Sequence, residues 1–294
     1  MKAANVVPKA LEVRGLTKNY NGFRLTDVSF SLPSGYVMGL IGPNGAGKTT
    51  VIKLILNLLR RDGGEIRVFG LDNLAREVGV KSRIGFVHDT PYFYERLRLT
   101  TIKGTVAPFY RDWDEPLFRR LLREFDLPPR RTLARLSRGM KMKFALALAL
   151  SHKADLILLD EPTSGLDPVF RRELLARLRD LMQDEKKSVL FSTHITSDLE
   201  RIADYITFLH RGRVVFSASR DEVLDRWAVV KGGRDLLTAK VRPFFQGIRE
   251  TEFGFEGLTS DRAEARRRFG DRAVVEPASL EDIMFYLTRG TPDA

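Results

Sequence analysis

Residues 42–50 read GPNGAGKTT, between an apolar run, YVMGLI (36–41), and an amphipathic one, VIKLILNLL (51–59). A strand, a glycine-rich turn and a helix in that order leave few folds open. Gly42, Gly47, Lys48 and Thr49 stand at the fixed places of the pattern G-x-x-x-x-G-K-S/T. Such a loop wraps phosphates, because glycines let backbone N–H groups turn inward and the helix N-terminus adds positive potential. Lys48 is expected to reach β- and γ-phosphates, and the Thr49 hydroxyl to hold Mg²⁺. Pro43, Asn44, Gly45, Ala46 and Thr50 complete the expected nucleotide-binding run. An ordinary glycine-rich turn is the bland reading, and the two correct flanks count against it.

The rest of the chain agrees with a parallel α/β sheet. LEVRG (11–15) and RLTDVSFSL (24–32) alternate as half-buried strands around a turn at Asn21-Gly22, and EIRVFG (65–70) and RIGFVH (83–88) are further strand candidates. From about 99 to 151 the pattern is helical, in EPLFRRLLREFDL (115–127) and MKMKFALALALS (140–151), with Pro128-Pro129 as a break. ADLILLDEP (154–162) and SVLFST (188–193) read as buried strands. DPVFRRELLARLRDLMQ (167–183) reads as a helix capped by Asp167, and TSDLERIA (196–203) as another. Beyond about residue 225 the pattern weakens. Gly232-Gly233 reads as a linker, 245–258 as strands, and 260–270 and 279–290 as helices.

Several of these runs carry chemistry. LILLDEP ends in adjacent carboxylates: Asp160 suits Mg²⁺, a hard cation that takes oxygen ligands, and Glu161 is a candidate general base. Alone, such a strand end is a weak signal; about 110 residues after a phosphate loop the functional reading wins. In LSRGMKMK (136–143), Ser137 and Gly139 precede a helix and suit a second anion site, against the simpler reading of Ser137 as an N-cap. His194, just past a strand, is placed to donate to a γ-phosphate, and Tyr20 to stack on adenine, although both residue types are more often structural at such positions.

Composition sets limits. The chain has 294 residues, no cysteine and a net charge of +11. Disulfides, thiolate metal sites and cysteine nucleophiles are excluded. No apolar run approaches the roughly 18–20 residues of a membrane span, and the first residues lack the apolar core of a signal peptide, so a cytoplasmic protein is expected. The positive charge is uneven. Residues 226–294 hold 12 basic and 11 acidic side chains, whereas 111–143 alone holds ten basic and five acidic. Nucleotide phosphates, an anionic membrane surface or nucleic acid would each explain this, as would a solvated arginine-rich helical face.

Taken together, the runs resemble the ATP-binding cassette family. GPNGAGKT matches its first phosphate motif, LILLDE its second, LSRGM its signature and SGLD (164–167) its D-loop; His194 matches its switch histidine and Tyr20 its adenine-stacking aromatic. The resemblance covers roughly residues 10–225. It implies two such domains clamping two Mg-ATP molecules head to tail, with Ser137, Gly139 and Asp167 near the partner's nucleotide. It also implies a separate integral-membrane permease, with this chain at the inner face of the membrane. The expected fold class is α/β: a P-loop ATPase core with an antiparallel β subdomain and a helical signature subdomain, plus a small α+β C-terminal extension. The expected division is a nucleotide-binding domain over 1–228, with its helical subdomain at about 99–151, and an extension over 229–294 similar to that of bacterial exporter ATPases.

Two departures stand out. The family signature usually reads LSGGQ, and here Arg138 and Met140 replace its middle glycine and its glutamine. Asp89 stands where the family's Q-loop glutamine is expected, so it is assigned to the nucleotide and the cation, directly or through a water. The aromatic run Tyr92, Phe93, Tyr94 lies where transporter cassettes receive the permease, with core packing as the plainer reading. The competing function is a soluble cassette ATPase acting on nucleic acid or ribosomes. Against it, only 88 residues separate Lys48 from Leu136, so no long coiled coil splits the cassette, and there is no second cassette. Nucleic acid is therefore not an expected partner. A phosphate-loop kinase or GTPase leaves LSRGM and SGLD unexplained.

Overall fold

The structure, a computed structural model, describes residues 8–89 and 93–289. The chain opens with β1 (Lys9–Tyr20) and β2 (Phe23–Pro33), antiparallel about the Asn21-Gly22 turn, with Tyr20 paired to Phe23. Leu11, Val13 and Leu16 on β1 face inward, the alternation a half-buried strand needs. Every residue of β3 (Val37–Ile41) is buried, as in a central strand covered on both faces. It leads through the glycine loop into α1 (Lys48–Ile55). β4 (Gly63–Val68) and β5 (Leu71–Asp72) then return to the first sheet, whose order is β2-β1-β4-β5.

After α2 (Glu77–Lys81) and β6 (Ile84–Val87) comes the helical segment: α3 (Leu99–Val106), α4 (Glu115–Glu124) and α5 (Arg138–Ser151). Next are β7 (Leu156–Asp160), α6 (Pro168–Leu181), β8 (Ser188–Thr193) and α7 (Thr196–Ile202). β9 (Tyr205–His210), β10 (Arg213–Ser219) and α8 (Arg220–Arg226) complete this part. The second sheet has the order β10-β9-β3-β8-β7-β6 and is parallel except for the β9–β10 hairpin. The remaining elements are β11 (Ala228–Gly232), β12 (Gly247–Glu250), β13 (Phe255–Thr259), α9 (Arg262–Phe269), β14 (Ala273–Pro277) and α10 (Leu280–Arg289). Their strands form a third, antiparallel sheet ordered β12-β13-β11-β14.

The parallel sheet separates two cores. Met38, Leu40, Leu158 and Leu190 pack toward α1 and the antiparallel sheet, while Ile41, Ile157, Leu159 and Phe191 pack toward the helices. The helix-side core runs on into the C-terminal segment: Leu280 and Ile283 are fully buried in it with Leu199. Two backbone N–H groups reinforce that junction. Leu280 N–H donates to Glu200 Oε1 at 3.2 Å, and Ala278 N–H donates to the Trp227 carbonyl at 3.1 Å. Phe245, Phe255 and Phe269 form a separate aromatic core beneath the third sheet.

Several sequence expectations shift. The first helix covers 48–55 rather than 51–59, because the chain turns left-handed at Asn57 (φ 52°) and Leu58 faces solvent. The 115–127 helix stops at Glu124, and Asp126 takes φ 51° before the proline pair. Gly232 is the last paired residue of β11, so the Gly232-Gly233 pair lies inside the third sheet's fold and is not a linker. The β9–β10 hairpin, α8, β11 and β14 have no counterpart in the sequence reading.

His152, at the C-terminus of α5, is 5% exposed and stacks on Tyr110 with ring centroids 3.9 Å apart. Burial pushes its imidazole down to about 4, with the nearby Lys187 charge acting in the same direction. A histidine held neutral by folding contributes nothing to the pH dependence above its unfolded value, and it costs stability as pH falls from there toward the folded value. Denaturant unfolding at about pH 5 should therefore show stability lower by about 2 kcal/mol than at about pH 7 from this residue alone. His152→Phe, which keeps the stack, should flatten that dependence when the two unfolding curves are compared.

Candidate nucleotide and cation site

The carboxyl ends of β3, β7 and β8 meet at one edge of the parallel sheet, where ligands of such sheets bind. There the loop 42–47 turns into α1 with no side-chain cap on its first N–H groups. Two glycines are required by contact. A Cβ on Gly42 would lie 2.1 Å from the Leu209 carbonyl, and one on Gly47 (φ 108°) would lie 2.7 Å from Leu25. Lys48 is 6% exposed. Its ammonium donates to the Gly42 carbonyl at 2.8 Å and the Pro43 carbonyl at 3.3 Å, and lies 3.1 Å from Glu161 Oε1.

Glu161 leaves β7 in the left-handed region at φ 49°, its N–H donating to the Ser192 carbonyl at 3.0 Å. That bend separates the two acids. Asp160 points down into the sheet, 2% exposed, and its Oδ1 accepts from the Ser192 hydroxyl at 2.5 Å. Glu161 points into the cleft, with Oε1 toward Lys48 and Oε2 2.9 Å from His194 Nδ1. A carboxylate gripped between a cation and an imidazole is fixed in direction, which suits a proton acceptor that must meet one water.

A cleft of about 400 Å³ opens here, lined by Phe23, loop residues 44–50, Asp89 and Glu161. Asp89 follows β6 and is bonded to its neighbour, His88 Nδ1, at 2.5 Å; the other ring nitrogen lies 3.9 Å from Asp160 Oδ2. Among the described residues, no three His, Cys, Asp or Glu side chains converge as a metal cage. Thr49 and Asp89 line the cleft with oxygen donors, the kind a hard cation takes, whereas Asp160 is buried with Oδ1 bonded to the Ser192 hydroxyl.

Other assigned residues lie outside this cleft. Tyr20 is 42% exposed and carries the Lys18 ammonium 5.6 Å above its ring, whereas Phe23, its partner across the turn, lines the cleft. Ser137 caps α5, accepting from Met140 N–H at 3.2 Å, and Asp167 caps α6, accepting from Val169 and Phe170 N–H. The two helix starts touch: a Cβ on Gly139 would lie 3.3 Å from Phe170. Arg138 lays its guanidinium against Gly165 of the SGLD run. In the aromatic run, Tyr92 lies outside the described residues, Phe93 packs edge-on against Phe144 with centroids 5.8 Å apart, and Tyr94 is 83% exposed. Sequence reasoning missed Phe23 and His88. The first follows an Asn-Gly turn and the second adjoins Asp89, and those positions are the only local signals.

Comparison with known proteins decides the family. A family model described as ABC transporter matches residues 25–164. The Nod factor export ATP-binding protein I of Sinorhizobium fredii is 33% identical over 95% of this chain and 86% of its own. The chain belongs to the ABC transporter ATP-binding family. This cassette is therefore an ATP-binding subunit whose family hydrolyses ATP to power transport. The bacitracin transport ATP-binding protein BcrA of Enterococcus faecalis is 30% identical to it over 75% of this chain and 73% of its own. A solved structure titled as the ATP binding subunit of an ABC transporter superposes with TM-score 0.70 at 29% identity, covering 95% of this chain and all of its own, so the likeness reaches well into the C-terminal segment. A nucleotide-free cassette at 22% identity and TM-score 0.63 shares the fold.

Lys48→Ala removes the ammonium that lines the cleft and leaves Glu161 its contact with His194. The variant should lose most ATP affinity and turnover, measured by nucleotide titration and phosphate release. Glu161→Gln should keep ATP binding while turnover falls by about a hundredfold or more, since an amide cannot take the proton. Wild-type turnover in either variant would overturn the site.

Proposed function

We propose that this chain drives export through a separate membrane permease, two cassettes closing head to tail over two Mg-ATP molecules. The observation that carries the reading is the Glu161 carboxylate, aimed into the phosphate-loop cleft between Lys48 and His194. Relatives named for Nod factor export and for bacitracin transport support the exporter assignment. They differ in cargo while sharing this ATPase, so cargo choice belongs to the permease. No helix among the described residues is long and apolar enough to cross a membrane. The nucleic-acid alternative finds no support in these relatives.

The roles divide as follows. Loop N–H groups at 44–50 and the α1 N-terminus take the phosphates, and Lys48 leaves its carbonyl partners to meet the β/γ charge. Tyr20 and Phe23 sit on the side where the base would stack. Thr49 and Asp160 would hold Mg²⁺, with Asp89 reaching it directly or through a water. That ion would neutralise charge on the transferring phosphoryl group. Glu161 accepts a proton from the attacking water, and His194 keeps the carboxylate in place and faces the γ-phosphate. Ser137, Gly139 and Asp167, which do not line this cassette's own cleft, meet the nucleotide of the opposing cassette. Residues from 229 onward form an appended unit. Phe93 and the exposed Tyr94 lie on the side that receives the permease.

The test of the closed pair is size. Glu161→Gln, loaded with ATP and Mg²⁺, should elute as a dimer and return to the smaller species when ATP is replaced by ADP. Ser137→Arg, which adds bulk and charge at the facing surface, should abolish that dimer while leaving nucleotide affinity within about threefold. A Glu161→Gln protein that stays monomeric with bound ATP would overturn the homodimer and direct the search to a second, different cassette.

A further inference from the structure

The nucleotide cleft leaves most of the chain's positive charge without a task. Part of that charge gathers where segments 94–100 and 128–135 run side by side. Arg98 pairs antiparallel with Thr132, flanked by bonds from Leu99 N–H to the Arg131 carbonyl at 3.2 Å and from Leu133 N–H to the Leu97 carbonyl at 3.0 Å. Ala134 N–H adds a bond to the Glu95 carbonyl at 2.8 Å. Leu99 and Leu133 are buried, which anchors both segments on the helix-side core. Arg96, Arg98, Arg130, Arg131 and Arg135 are all exposed on them. The one acid of the two segments, Glu95, is held by Lys141 at 2.6 Å. None of these arginines has a carboxylate partner among the described residues, whereas Arg119 and Arg120 on α4 meet Glu115 at 3.0 Å and Glu124 at 3.8 Å.

We propose that this arginine cluster docks the chain on the anionic phospholipid headgroups of a bilayer. Residues opposed across a ladder are within side-chain reach, so these guanidinia repel one another until an outside anion intervenes. Their field extends about 8 Å at physiological salt, far enough to draw in a charged surface. Guanidinium forks suit phosphate, and a headgroup layer offers phosphates to several arginines at once. Tyr94, which opens the first segment, is exposed, and an exposed tyrosine beside cations suits the boundary between headgroups and acyl chains. That the anionic surface is a bilayer rests on the function proposed above, which sets the chain beside a permease. A nucleic-acid backbone offers the same phosphates and is the competing outcome of the test.

Co-sedimentation of the full-length chain with vesicles, no permease being present, decides it. Wild-type protein should bind phosphatidylcholine vesicles carrying about 30% phosphatidylglycerol at least about tenfold better than phosphatidylcholine alone, and should lose that preference as salt rises to about 0.5 M. Each basic residue near such a surface strengthens binding about fivefold, so Arg96→Gln, Arg98→Gln and Arg130→Gln combined should weaken it by about tenfold or more. The control combines Arg14→Gln, Arg67→Gln and Arg119→Gln, exposed arginines that pair with Glu12, Glu65 and Glu115. It loses the same charge and should stay within about threefold of wild type. Both variants should keep wild-type affinity for mant-ATP, which shows that they are folded. Equal loss of vesicle binding in the two variants overturns the inference, because the charge of the whole chain then suffices. Wild-type protein that ignores anionic vesicles also overturns it, and leaves the ATPase and exporter assignments standing. If it ignores vesicles yet binds a short DNA duplex through these same arginines, the exporter reading is overturned together with the inference.

Discussion

The pairing of β8 with both β3 and β7 is the constraint on which the site depends. Its register sets Ile41 opposite Thr193 and Asp160 opposite Ser192. The phosphate loop, the acid pair and the segment bearing His194 all leave the sheet at those rungs. A one-residue slip of β7 would turn Asp160 to the opposite face and sever its bond to Ser192. The register is secured by burial. Every residue of β3, β7 and β8 is buried, so a slip would also put apolar side chains against the wrong core. Hydrophobic sorting between two cores thus sets the geometry of a polar site that contributes little to either.

Within that frame the charges are arranged economically. Lys48 is almost fully buried and meets two carbonyls and one carboxylate, so its charge is satisfied inside the chain. A buried ammonium left without such partners would be costly. Bound phosphates can replace those contacts with stronger charge-assisted ones, which gives nucleotide binding a local driving force. Breaking the bond to Lys48 would leave Glu161 with His194, so a phosphate that captures Lys48 would also change how the Glu161 carboxylate is held.

Much of this was legible in the sequence wherever chemistry is local. GPNGAGKTT, LILLDE and the Asp167 cap are contiguous runs whose residues act on their own backbone or on the next turn. The central strands were legible for the same reason, as uninterrupted apolar segments. What escaped depends on partners remote in the chain. Phe23 borders the cleft only because the β1–β2 hairpin folds over the loop, and a ring beside an Asn-Gly turn has no distinctive pattern. His88 gains its neighbours from the β6–β7 register, which pairs Val87 with Leu159. The β9–β10 hairpin was invisible because β10 alternates exposed and half-buried residues with little apolar contrast. The glycine pair at 232–233 misled, since flexibility in a sequence and a strand end in a sheet share the same residue.

The burial of Leu280 and Ile283 beside Leu199 has a consequence for biosynthesis. Chains emerge N-terminus first, and domains fold as their segments become available. Here the ATPase half cannot finish its helix-side core when its own last strand appears. α7, which begins two residues after His194, waits for α10, the final helix described, to cover it. Until then a nascent cassette bears an oily face next to the segment that carries His194. Maturation of the engine is thereby tied to delivery of the segment after it, and a ribosome that stalls in between releases a sticky, incomplete protein in place of a free-running ATPase.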